Sequence, residues 1–131
     1  MKNEDRRFIL SLVIAISLTM IFTMIPLWQL VIIPGIIAGL FNKSMKRAIL
    51  SGTLGVLVSW SIYIIYGLIT RNVYSLLDQF GALIISEGYG WLLLILIFLF
   101  GAIFGALGGG IGNGLLITVK FYYENNSRNN K

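Results

Sequence analysis

The chain contains no cysteine and no histidine. Disulfides, thiol nucleophiles, thiolate metal sites and ligation of zinc or haem through imidazole are therefore closed to it. Charge is scarce as well: ten basic and five acidic residues make up 11% of the 131, against about 25% in an ordinary soluble domain. A small water-soluble globule has too much surface for its volume to tolerate that deficit. With 57% of the residues apolar, the sequence predicts that lipid, not water, solvates most of the outside.

The net charge of +5 would suit nucleic acid, but its distribution does not. The charges form short clusters between long apolar runs, with no basic helix face and no basic aromatic patch, so no nucleic-acid partner is expected. The apolar runs themselves hold no aspartate, glutamate, lysine or arginine, and proton relays or voltage sensors need such groups inside the membrane. Asp78 and Glu87 fall in a predicted surface segment with no spacing that forces them together, and no base–nucleophile pair is recognisable. The expectation is a chain that is not an enzyme and carries no cofactor or metal.

The first uncharged run, residues 8–41, would measure about 51 Å as one helix, far beyond a hydrocarbon core of roughly 30 Å. It divides into two predicted spans, about 8–25 and 27–41, with Pro26 as the break and Trp28 and Gln29 suited to an interface. The second is short and contains Pro34-Gly35, which allows a kink or a re-entrant turn; charge, below, favours crossing. A polar loop at 42–47 precedes a third span, 48–69. In the external segment 70–90, Val73, Leu76, Leu77, Phe80, Leu83 and Ile84 recur at helical spacing, with Arg71, Ser75, Asp78 and Gln79 opposite. That pattern predicts a short amphipathic helix on the membrane surface or a cover over the bundle mouth. The last span, 91–119, leads to the tail 120–131. This tail opens on Phe121, Tyr122 and Tyr123, and its Asn-rich end reads as disordered.

The N-terminal stretch mixes Glu4 and Asp5 with its bases, and Pro26, Leu27 and Trp28 stand where a cleavage site would be, so it reads as a retained anchor and not as a signal peptide. With four spans, every basic residue except Arg71 falls on one side. That asymmetry predicts a multi-pass cell-membrane protein with both termini in the cytoplasm. The triplets Asn42-Lys43-Ser44 and Asn125-Asn126-Ser127 then lie on the cytoplasmic side and should carry no sugar.

Small residues are the one distinctive pattern. Gly101, Gly105 and Gly109 repeat every fourth position; Ala102, Ala106, Gly110 and Gly114 form a second row, and Gly108 and Gly112 a third. Gly35 and Gly39, then Ser51, Gly55 and Ser59 with Ala48 and Gly52, repeat the theme in the second and third spans. Such rows let helix backbones approach closely where no hydrophobic effect operates between helices. They predict helix packing within one bundle or between chains. The triple glycine 108–110 could also break its helix and expose backbone groups, with Asn113 and Gln29 as polar pore-lining residues. Serine and threonine in the spans should mostly bond back to their own helices.

Three stretches carry a resemblance: Ile25-Pro26-Leu27 with Pro34-Gly35-Ile36-Ile37-Ala38-Gly39; Arg47 through Gly55, RAILSGTLG; and the run from Gly101 to Gly114. In these the chain resembles a family of small archaeal membrane proteins of unassigned activity, departing from it in a longer 70–90 segment and a more basic tail. The resemblance implies a four-span architecture. The sequence thus predicts an all-α integral membrane bundle of four transmembrane helices with a short amphipathic segment between the third and fourth. Its partners would be the lipid bilayer and either itself or another membrane subunit. The leading expectation is a protein that acts by helix–helix assembly, as a homo-oligomer or accessory subunit; the alternative is a small channel or facilitator for an ion or neutral solute.

Overall fold

The computed structural model describes residues 3–24 and 28–129, and over these the chain is helical, with no strand. Helix α1 covers Asn3–Thr23. A 3-10 turn, Trp28–Val31, leads into α2, Ile32–Phe41; then come α3, Met45–Thr70, α4, Val73–Ile84, and α5, Gly90–Asn129. Three of these, α1, α3 and α5, are long and apolar enough to cross a membrane. At ten and twelve residues, α2 and α4 are shorter. The Pro26 break lies outside the described residues.

Local chemistry accounts for the helix ends. Glu4 and Asp5 stand in the first turn of α1, where the partial positive charge of the helix terminus favours carboxylates. Pro34 is the third residue of α2, a first-turn position that tolerates a missing N–H. Asn42 closes α2, its backbone N–H donating to the Gly39 carbonyl at 3.2 Å. Between α3 and α4 the chain turns through Asn72 in the left-handed region (φ 50°), a conformation asparagine tolerates better than most residues. Before α5 it turns through Gly88 (φ 86°), and the Asp78 carboxylate then accepts the Gly90 N–H at 3.2 Å.

In the bundle, α5 packs along both α3 and α2, α1 packs on α3 and α2, and α4 lies against the start of α5. Although α1 and α5 both lean on α3, they barely meet. The loop after α2 returns to the end where α1 starts: Arg47 Nη1 lies 3.4 Å from Glu4 Oε2 and 3.5 Å from Asp5 Oδ1. The C-terminal part of α5 comes to the same end, because Lys120 and Arg7 line one cavity with Lys43.

Two sequence expectations are corrected. The triple glycine does not break α5, which is continuous from Gly90 to Asn129. Glycine weakens a helix by about 1 kcal/mol per residue, but a break in an apolar interior would strand N–H and C=O groups at several kcal/mol each. The tail is helical through Asn129, not disordered. Extending an existing helix needs no new nucleus, and Lys120 and Glu124 form an i,i+4 pair at 3.7 Å along it. The helix expected in the external segment is present as α4, which turns Gly81 inward, with Val73, Leu77 and Asp78 half-buried, and leaves Leu76, Phe80, Leu83 and Ile84 exposed. The reason is backbone contact: a methyl carbon on Gly81 would lie 2.8 Å from the Tyr89 carbonyl carbon, so the glycine edge, not the apolar edge, meets α5.

Candidate functional site

The small-residue rows of α5 face its own chain. On the side towards α3, Gly101 lies under the Trp60 ring, Gly105 against Gly52 and Thr53, and Gly109 against Ala48 and Ile49. On the side towards α2, Gly108 meets Ile32 and Gly35, while Gly112 meets Ile36 and Gly39. A methyl carbon on Gly105 would sit 2.6 Å from the Gly52 carbonyl oxygen, and one on Gly108 would sit 2.6 Å from that of Ile32. Gly55 closes instead on Ala15 of α1. Only the outer row is open: Gly110 has ordinary contacts at 3.8 and 3.9 Å, and Gly114 has nothing within 4 Å.

Where these rows end, four helices meet at Asn42. Its side-chain amide donates to Ser11 Oγ of α1 at 2.7 Å, to Ser51 Oγ of α3 at 3.0 Å and to the Ala38 carbonyl of α2 at 3.1 Å. Each serine hydroxyl donates to its own helix, Ser11 to Phe8 and Ser51 to Ala48, which turns its lone pairs towards Asn42. The backbone carbonyl of Asn42 accepts from Asn113 Nδ2 of α5. Ser11, Asn42, Ser51 and Asn113 are all buried. Asn113, expected to line a pore, is therefore seated in this cluster, with only its Oδ1 unpartnered among the described residues. The side chain of Gln29 lies outside the described residues.

The sequence reading missed Ser11, Asn42 and Ser51 as a unit. One signal was present: Ser11, Ala15 and Thr19 form a period-four small and polar row, and these are the buried residues of α1. Most other hydroxyls bond back within their own helices, including Thr23, Thr53 and Ser61. Two reach α1 from α3: Ser59 Oγ, which also bonds back to the Gly55 carbonyl at 2.8 Å, lies 3.1 Å from the Ile16 carbonyl, and Tyr63 Oη donates to the Met20 carbonyl at 2.7 Å.

Towards the opposite end, the gap between α1 and α5 opens as a groove of about 630 Å³ floored by α3. Thr23, Trp60, Tyr63, Ile64, Ile97 and Phe100 line it, so its surface is almost wholly apolar. The Trp60 indole N–H is buried and has no acceptor among the described residues, as is true of the Thr19 hydroxyl. Neither feature is a catalytic constellation. The nearest carboxylates to any cation, Glu4 and Asp5, are engaged with Arg47, and Asp78 holds the start of α5. No family model, no curated protein and no solved structure matches the chain.

Proposed function

We propose that this chain is a non-catalytic, four-span cell-membrane protein with both termini in the cytoplasm, acting by assembly with copies of itself or with another membrane subunit. Four crossings are supported by the return of α2 to the end where α1 begins. The 3-10 turn and α2 together rise about 23 Å, short of a full hydrocarbon core, and α2 lies in backbone contact with α5 for most of that length. The crowding of Arg7, Lys43 and Lys120 at one end agrees with a cytoplasmic face there.

The groove carries the assembly reading. Where α5 meets α2 and α3 the helices close backbone to backbone, whereas here a large apolar recess opens between α1 and α5. Membrane helices associate by shape complementarity and dispersion, and a recess floored by Trp60, Tyr63 and Ile64 offers both to an incoming helix. The glycine rows support contact within the chain and leave no open seam for a pore beside Asn113.

The test is mild extraction from native membranes, native mass spectrometry, and the groove-filling variants Ile64→Trp and Ile97→Trp. The wild-type chain should be recovered as a defined oligomer or with a second membrane protein, and both variants should insert normally but run as single chains. Recovery of the wild type as a single chain, or complexes indifferent to both variants, overturns the assignment.

A further inference from the structure

A second cavity, of about 460 Å³, opens at the end of the bundle where α1 begins and α5 leaves it. Its walls are of two kinds. Leu116, Ile117 and Phe121 of α5 give an apolar wall, while Arg7 of α1, Lys43 of the loop after α2 and Lys120 of α5 bring three cations from three separate segments. Glu124 is the one carboxylate lining it, and it pairs with Lys120.

The cations differ in what already neutralises them. Arg47 nearby stands between Glu4 and Asp5, and Lys120 shares Glu124. Among the described residues, Arg7 and Lys43 have no carboxylate within ion-pair distance. Two uncompensated cations beside a third attract an anion, and phosphate oxygens accept several charge-assisted hydrogen bonds at once. An apolar wall directly below them gives a free anion nothing to bind, but it matches the first methylenes of an acyl chain. Basic pockets between membrane helices take anionic headgroups for these reasons.

We propose that this cavity binds one anionic phospholipid of the leaflet on that side, with the phosphate held by Arg7 and Lys43 and the acyl chain lying on Leu116 and Ile117. Lys120 completes the cationic rim, and Glu124 keeps it from over-attracting soluble anions. The site belongs to a single chain, so it stands whether or not the protein assembles.

The test uses the full chain, delipidated in detergent and given phosphatidylglycerol or phosphatidylcholine with the same acyl chains, with bound lipid counted by native mass spectrometry. Phosphatidylglycerol should be retained in preference. The double variant Arg7→Gln/Lys43→Gln should lose that preference by roughly fivefold for each cation removed. The pair Lys46→Gln/Arg128→Gln makes the same change in net charge outside the cavity and should leave the preference intact. Equal retention of the two lipids overturns the proposal, as does an equal loss in the control pair. Displacement of phosphatidylglycerol by an equal concentration of inorganic phosphate also overturns it, since it would show a site for free anions.

Discussion

Asn42 has two amide hydrogens and three acceptors within reach, on three different helices, while its backbone carbonyl takes a fourth helix through Asn113. Hydrogen bonds between membrane helices contribute about 0.6 kcal/mol each on average. Losing the two that the side chain makes to other helices, and leaving the Ser11 and Ser51 hydroxyls without that donor, should therefore cost about 1 kcal/mol in Asn42→Ala. Unfolding in mixed detergent micelles measures this; Asn113→Leu should cost about half as much, and the exposed Asn125→Ala nothing. A destabilisation no larger for Asn42→Ala than for Asn125→Ala would show the cluster to be incidental. None of this was legible beforehand, because an asparagine between Phe41 and Lys43 reads as an ordinary loop residue. Only the fold shows that the chain turns inward there.

Along α5, identical residues have opposite consequences. A methyl group on Gly105 meets the Gly52 carbonyl, whereas one on Gly114 meets nothing. Gly105→Ala must push α3 and α5 apart and should cost about 1–3 kcal/mol, the range for overpacked interiors. Gly114→Ala gains helix propensity, up to about 1 kcal/mol, and should be neutral or stabilising. Thermal denaturation of both variants in one detergent gives the comparison, and equal shifts would contradict the packing described. The period of four was readable in the sequence for α2, α3 and α5. Which row meets which neighbour was not, because three parallel rows on one helix look alike until the partners' positions are known. In α1 the row was overlooked because Ser11, Ala15 and Thr19 include no glycine. In α4 the apolar positions were legible, but the face that packs was decided by Gly81 approaching the backbone before Gly90.

For the molecule as a whole, the long apolar runs and the gathering of basic residues at one end followed directly from composition and order. The extent of α5 did not: a polar, asparagine-containing tail carries no strong helix signal of its own and is helical because it continues one. The absence of native cysteine makes topology simple to check. In intact cells, Glu87→Cys should react with a membrane-impermeant maleimide, and Lys46→Cys and Arg128→Cys should react only after permeabilisation. Labelling of Lys46→Cys from outside would refute the four-crossing arrangement.

The pairing of α2 with α5 bears on how the protein is made. Gly35 and Gly39 are shaped to fit Gly108, Gly109 and Gly112, yet the ribosome delivers α2 well before α5. Until α5 emerges, the shortest apolar helix in the bundle waits without the surface that covers it, and Asn42 without the amide that claims its carbonyl. Of the described helices, the one that follows all the others along the chain is thus the one that covers α2.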